Sequence, residues 1–407
     1  MIRSGGNAPH GSVYEFLRND KLDARNFFDA QRKPPFRQNQ FGANAGGPIR
    51  RDSYDGLRVR QSLTQTFSVP PAAVRGGDFS GAPPIYDPLT TQAAGARSPF
   101  LGNQIPVSRL DRAAGVFLQK LATPNLQSPV QNLLATPSLQ NTADQGIVRL
   151  DHQLTPRDSV FLRLYVADFD TFQPFGSSLL NESLVPGFGY YLTTRTRNLA
   201  LGHTRVLTPS VVSEFRFGFL RVSGGQQSQN QGDDFAARAG IGGIAPAPEQ
   251  TGYPSVNFSG AYSTAGDPAN LFTRRNSSFD FIENLSWVRG VHSFKVGGYV
   301  FRLHFNPSES PNARGSFTFT PRYSSSAAGI GDGNAFADFL MGYPSSAQTG
   351  VGAGGFEQGR STWTHLYAQD DWRIRPNLTF NYGLRYEING KITDTQNRLP
   401  ASKLIAS

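Results

Sequence analysis

The 407-residue sequence contains no cysteine and only 2 methionines. The first absence excludes disulfides, thiolate metal sites and cysteine nucleophiles. An exported protein without disulfides must gain stability elsewhere. Closing a sheet on itself is one route, because closure removes exposed strand edges. No stretch approaches the roughly 18–20 apolar residues of a membrane-spanning helix. Charged residues are sparse at 17%, and no run of lysine and arginine exceeds two residues, as at Arg50-Arg51 or Arg274-Arg275. The net charge of +9 is therefore read as arginines dispersed through loops and strands. A nucleic-acid groove would show a denser patch, so no nucleic-acid partner is expected. No apolar run follows Met1-Ile2-Arg3-Ser4-Gly5-Gly6, so no secretory signal is read there. Lys403 to Ser407 does not read as the end of a strand.

Catalytic patterns are missing as well. Six histidines are scattered, and none forms an i, i+4 pair suited to a metal. His152, His203, His292, His304 and His365 fall in or beside strand patterns and read as structural or lumen-facing. Asp370-Asp371 and the Asp168, Asp170 pair lack the spacing of a calcium loop. Gly331-Asp332-Gly333-Asn334 reads as a turn, because no strand-then-helix unit frames it. The glycines at 350, 352, 354 and 355 read as a loop. No nucleophile elbow of the Gly-x-Ser-x-Gly type occurs. Neither an enzyme activity nor a cofactor is expected.

What the chain does have is glycine (43), proline (28), phenylalanine (31) and strict alternation. In Asp158–Phe169, Val160, Leu162, Leu164 and Val166 face one way, while Phe161, Arg163 and Tyr165 face the other. Phe215, Phe217 and Phe219 alternate with Glu214, Arg216 and Gly218. Phe279, Phe281, Leu285 and Trp287 alternate with Ser278, Asp280, Asn284 and Ser286. Tyr299, Phe301, Leu303 and Phe305 are set against Val300, Arg302 and His304. Leu378, Phe380, Tyr382, Leu384 and Tyr386 alternate with Thr379, Asn381, Gly383, Arg385 and Glu387. Period two with one polar face predicts a half-wet sheet.

The connections alternate too. Leu154-Thr155-Pro156-Arg157, Leu207-Thr208-Pro209-Ser210, Arg289-Gly290 and Arg375-Pro376-Asn377 read as short turns. Residues 170–190, 224–275 and 306–359 read as long loops. Short turns at one end and long loops at the other describe an outer-membrane barrel, with the short turns in the periplasm. The fold expected over residues 1–407 is all-β: a partial antiparallel transmembrane β-barrel of roughly a dozen strands, with long extracellular loops and a few short helices. Outer-membrane lipid is then the partner of the apolar face. Trp287, Tyr299, Trp372 and Tyr386 read as an interfacial girdle. The polar face lines a lumen, and Arg216, Asp280, Arg302, Arg385 and Glu387 are the candidate lumen residues. The alternative is a secreted, soluble all-β glycan-binding or adhesion module whose apolar face is its core.

Shorter features complete the reading. A strand is expected at His10–Leu17, a short helix within Asp20–Ala30 capped by Asp23, an extended segment at Gln38–Ile49 and a strand over Tyr54–Phe67. Residues 68–144 are a long extracellular insertion. It holds one helix, capped by Ser108 and carrying Leu110, Ala113, Ala114, Phe117 and Leu121 at helical spacing. The apolar segment Ala335–Met341 is placed on the periplasmic side.

Several segments resemble the TonB-dependent receptors, specifically the Oar-like receptors with a carboxypeptidase-regulatory-like N-terminal domain, a group common in Acidobacteria. They include His10-Gly11-Ser12-Val13-Tyr14-Glu15-Phe16-Leu17, Gly77-Asp78-Phe79-Ser80, Ile85-Tyr86-Asp87-Pro88, Asn334-Ala335-Phe336-Ala337-Asp338-Phe339-Leu340-Met341-Gly342, and Leu366-Tyr367-Ala368-Gln369-Asp370-Asp371-Trp372. The stretch Arg50–Arg58 is shorter than that family's pattern. The resemblance implies the first part of a barrel, with the signal, plug and TonB box before residue 1 and further strands after residue 407. It also implies ligand uptake or export through the plugged barrel of the intact protein, contact with the TonB system only through that plug, and an unidentified ligand, a carbohydrate, a peptide or an exported protein, that no named residue here is assigned to bind.

Overall fold

The computed structural model describes residues 8–24, 35–47, 51–176, 185–244, 248–260, 262–350 and 358–395. Eleven strands form the wall: β1 (His10–Asn19), β2 (Phe36–Gly46), β3 (Arg51–Ser62), β4 (Ser138–Thr155), β5 (Asp158–Gln173), β6 (Tyr190–Thr208), β7 (Val211–Ser228), β8 (Asn270–Arg289), β9 (His292–Phe305), β10 (Gly359–Arg375) and β11 (Leu378–Asn389). They lie side by side in chain order, each antiparallel to the next, and two short strands extend the sheet to 13. Several strands run far beyond the roughly 9–11 residues a tilted strand needs to cross a bilayer. β5 has 16 residues and β8 has 20.

All four short turns occur where the sequence places them, between β4 and β5, β6 and β7, β8 and β9, and β10 and β11. At the β8–β9 turn Arg289 pairs with His292, and Gly290 takes a φ of 60° in the two-residue loop. A left-handed φ there suits a residue without a Cβ. All the long connections that follow β3, β5, β7 and β9 leave from the opposite end.

Registers fix which residues share a face. Leu164 pairs with Leu199, Leu199 with Phe219, and Phe219 with Phe279. The next row, toward the short turns, runs Leu162, Leu201, Phe217, Phe281, Val300, Thr364 and Ile388. This apolar face is open to the surroundings: Leu384 is 77% exposed, Leu366 56% and Phe281 42%. A water-soluble sandwich would have buried it. Glu283 interrupts it, and its carboxylate accepts a hydrogen bond from Ser213 Oγ at 2.6 Å. Near the short turns, Trp287 packs on Phe294 (5.4 Å between ring centres) and Trp372 stacks on His292 (5.5 Å). These rings form the expected aromatic belt on that face. Tyr299 is not part of it, because register turns it to the opposite face. Tyr386 faces outward but two rows inside the band, beside Leu366.

The buried core lies in the long connections rather than the sheet. Phe117 contacts Phe188, Phe235, Tyr253 and Phe339, with ring centres 5.8–6.0 Å apart. These rings come from the connections after β3, β5, β7 and β9, so four loops fold into one cap. A three-stranded sheet (Ser255–Phe258, Ser316–Phe319, Ser346–Gln348) and the pair Gln65–Phe67 with Leu133–Ala135 give the cap its backbone order. Four short helices accompany them: α1 (Ala72–Arg75), α2 (Arg112–Leu118), α3 (Phe235–Ala239) and α4 (Ala335–Leu340).

Several expectations change here. The helix in the long insertion starts later than Ser108 suggests. Its cap is Asp111, whose carboxylate accepts from the backbone N–H of Ala113 and Ala114, while Ser108 lies in a preceding 3-10 turn. Helix α4 belongs to the cap and not to the periplasmic side, because β9 ends and β10 begins at the long-connection end and, among the described residues, no strand between them crosses the wall. Tyr54–Phe67 is two strands, since Gln65–Phe67 leaves the wall to pair in the cap. Residues 20–23 form a turn, and the rest of the helix expected over Asp20–Ala30 lies almost wholly outside the described residues.

Two predictions follow from the cap. Phe117→Ala removes its hub and should cost about 3–5 kcal/mol of cap stability. Limited proteolysis should cleave the long connections much faster while the wall strands stay protected. Arg109 donates to both carboxylate oxygens of Asp87, at 2.6 and 2.8 Å, and these bonds hold the Asp87 carboxyl below its usual range. A depressed folded-state pKa adds stability at pH above the unfolded value, and that stability fades as pH falls through the folded value. Arg109→Gln should therefore loosen the cap at neutral pH and weaken its further loss below the ordinary carboxylate range. Proteolysis rates across that pH window, compared between the two proteins, read this out.

Candidate functional site

The second face of the wall carries the polar groups, and register assigns them one by one. Arg216 and Glu214 lie on it in β7, with 3.8 Å between Arg216 Nη2 and Glu214 Oε2. Asp280 lies on it in β8 and accepts a hydrogen bond from Tyr299 Oη at 2.8 Å. Tyr299 in turn packs against the His365 ring, 5.3 Å between centres. His365 Nε2 lies 2.9 Å from Asn389 Oδ1, and its Nδ1 lies 3.5 Å from Arg385 Nη2. Arg385 donates to the Glu387 carboxylate. A chain of polar and aromatic side chains thus crosses β8, β9, β10 and β11.

Further contacts extend it. Tyr367 Oη donates to Asn284 Oδ1 at 2.6 Å, Arg163 donates to Asn198 Oδ1 at 3.1 Å, and Tyr165 Oη donates to Gln145 Oε1 at 3.1 Å. Glycines make room for the rings that lie flat against the wall. A Cβ on Gly202 would fall 2.1 Å from the Phe161 ring, and one on Gly297 2.4 Å from the Tyr367 ring. Laying rings along the wall is what allows Tyr367 to reach Asn284 two strands away.

Four of the five candidate lumen residues, Arg216, Asp280, Arg385 and Glu387, share this face. Arg302 does not. It pairs with Phe279 on one side and Thr362 on the other, on the apolar face. The physical reason is the two-residue turn. With Arg289 opposite His292, odd residues of β8 stand beside even residues of β9, so Phe279 and Tyr299 must point to opposite faces. Asn284 stands on the polar face where the alternation puts it, and His365 takes the lumen-facing one of its two readings; Tyr299, expected in the girdle, is displaced by the same parity, and Tyr367 looks unremarkable alone. The signal for Tyr299 was present, since the turn length sets the parity.

Among the described residues, the polar side chains of this face bond mainly to one another and to the wall. Above it, the cap encloses a cleft of about 210 Å³, lined by Ala114, Phe117, Phe235, Val256, Phe319 and Phe339 among others. That volume suits a side-chain-sized apolar group. Asp111 stands at its edge, but its carboxylate is already engaged in capping α2. Elsewhere in the cap, the buried Asp338 carboxylate accepts hydrogen bonds from the backbone N–H groups of Tyr323 at 2.6 Å and Ser324 at 2.7 Å. Burial pushes this carboxyl up while those donors oppose the shift.

Gly297→Val should force the Tyr367 ring off the wall and break its bond to Asn284. Overpacking of this kind costs about 1–3 kcal/mol. The denaturation midpoint in lipid vesicles should fall, whereas Gly115→Ala, where an added Cβ meets nothing within 4 Å, should leave it unchanged.

Comparison with known proteins gives the context. The family model described as "Outer membrane beta barrel domain" matches residues 1–402. Similar solved structures include the outer membrane transporter YddB from Escherichia coli, 10% identical with a TM-score of 0.48, covering 96% of this chain and 41% of that one. The siderophore receptor PirA from Acinetobacter baumannii is 12% identical with a TM-score of 0.40, covering 97% of this chain and 42% of that one. The copper transporter OprC is 8% identical with a TM-score of 0.39, covering 97% and 40%. This chain thus spans about two fifths of the length of these proteins. A search of curated proteins found no match. The match over nearly the whole sequence, on a wall with one apolar and one polar face, shows that this chain belongs to the outer membrane β-barrel domain family and resides in the outer membrane.

Proposed function

We propose that this chain is the first part of the barrel of a TonB-dependent receptor of the Oar-like kind. The observation that carries this reading is the pairing of a continuous polar face with a folded cap at one end. A passive pore needs the first but not a cap with its own aromatic core. In this reading the cap captures a ligand, a carbohydrate or a peptide, and the polar face from Arg216 to Glu387 lines its route. Open edges support the idea that further strands complete the wall: among the described residues β1 pairs only with β2, and β11 only with β10. A plug in the same protein would close the barrel and couple it to TonB. No catalytic step is assigned to the chain.

The test is uptake by intact cells that express the full-length protein, using labelled oligosaccharides and peptides. Energy-coupled transport should stop when the proton gradient is collapsed, while the protein stays in the outer membrane. Uptake that continues unchanged without the gradient would mean a passive pore and would end the receptor reading.

A further inference from the structure

The apolar face ends on a row rich in arginine. Toward the long connections, the row next to Leu199, Phe219 and Phe279 reads Arg197, Arg221, Ser277, His304 and Arg360 on five consecutive strands, β6 to β10. Arg302 sits in the row beneath, beside Phe279 and Thr362, and Arg275 in the row above, beside Ser223. All of these share the lipid-facing side, as their register with Phe279 requires.

Carboxylates are found at only one end of this row. Asp168 and Asp170, both on β5, are taken by Arg197 at 2.6 Å and Arg195 at 2.7 Å. Across β7 to β10 the contacts are neutral. Arg221 Nε donates to Ser277 Oγ at 3.1 Å, Arg302 lies 3.4 Å from both His304 Nε2 and Thr362 Oγ1, and Arg360 donates to Asn306 Oδ1 at 2.8 Å. Among the described residues, none of Arg221, Arg275, Arg302 and Arg360 has a carboxylate partner. Arg221, Arg275 and Arg302 are exposed, and Arg360 is half-buried.

Four unneutralised guanidinium groups within four neighbouring strands repel one another unless an anion joins them. Strands lie about 4.8 Å apart, so the patch is roughly 15 Å wide. Its lower border is hydrocarbon-facing, and its position is where acyl chains give way to headgroups. Arginine matches phosphate in geometry as well as charge.

We propose that Arg221, Arg302 and Arg360, with Arg275 above them, form a binding site for the phosphate groups of a lipid in the leaflet at the long-connection end. The acyl chains of that lipid lie on Leu199, Phe219 and Phe279, and its headgroup reaches the arginines. The site rests on the outer-membrane location and not on the receptor reading, so either can fail without the other.

The test uses the full-length protein purified from outer membranes and placed in phosphatidylcholine nanodiscs. These carry a small fraction of lipid A bearing two phosphates, or the same lipid with its phosphates removed. Native mass spectrometry counts the lipid retained. The wild type should keep the phosphorylated form and lose the other. The triple variant Arg221→Gln, Arg302→Gln, Arg360→Gln should retain roughly tenfold less or lower, and Arg302→Gln alone should show a smaller loss. Arg274→Gln, the neighbouring residue on the opposite face, should match the wild type. Heat-modifiable gel mobility reports whether each variant is folded, and Arg302→Gln carries the test if the triple variant is not. Equal retention by wild type and Arg302→Gln, or equal retention of the dephosphorylated lipid, overturns the proposal. So does binding of inorganic phosphate in lipid-free micelles with no retention of lipid, since that would be a free-anion site.

Discussion

Hydrocarbon offers no hydrogen-bond partner, so every backbone N–H and C=O of a membrane strand must be satisfied by the strands beside it. The rest of this structure depends on that constraint. It forces long, unbroken antiparallel ladders, such as the one that pairs β6 with β7 from Tyr190–Ser228 to Val206–Val212. It also makes register strict, because a slip of one residue would turn Phe217 inward and Arg216 into lipid. The faces of the wall follow from register, and both the lumen-facing chain from Asp280 to Glu387 and the outward row of arginines follow from the faces.

The same constraint explains where the hydrophobic core sits. A wall that faces lipid on one side and a polar interior on the other gains little by burying side chains within itself. The phenylalanines that are buried away from solvent are in the connections. Phe117, Phe258, Phe336 and Phe339 meet there because each loop is too short to bury its own apolar residues and must share a core with its neighbours. Two buried charges pin that core. Asp267 accepts from the Tyr253 N–H at 2.8 Å and from Asn230 at 2.7 Å, and the buried Arg314 side chain donates to the Gln250 carbonyl at 3.2 Å. Burial raises the Asp267 carboxyl and lowers the Arg314 guanidinium, and their mutual attraction opposes both shifts.

Two charged populations on the wall thus have different surroundings. On the inner side, Glu214, Arg216, Arg385 and Glu387 are paired with one another and exposed to a polar interior. On the outer side, Arg221, Arg302 and Arg360 stand beside hydrocarbon-facing rings with only neutral protein contacts. The distinction comes from which face each strand turns outward, and a list of charges cannot supply it.

Period-two patterning and the short turns at Pro156, Pro209, Gly290 and Pro376 were enough to read the strands, their neighbours and the end at which the loops lie. These are local properties: alternation follows from the pleat, and a tight turn forces adjacent strands to pair. Local reading also placed Arg216, Asp280, Arg385 and Glu387 on the polar face, because each sits between outward-facing apolar side chains of its own strand. It failed for Arg302 and Tyr299, where two plausible alternations of β9 differ by one residue and only pairing with β8 chooses between them. It failed for the cap as well. Phe117 and Phe339 are more than two hundred residues apart, and nothing local to either shows that the two rings will touch. The sequence by itself determined strand, turn and compartment, because each is written in a few consecutive residues. The tertiary structure alone decided the meeting of four loops and the cluster of arginines across β7 to β10, because both depend on contacts between residues far apart in the chain.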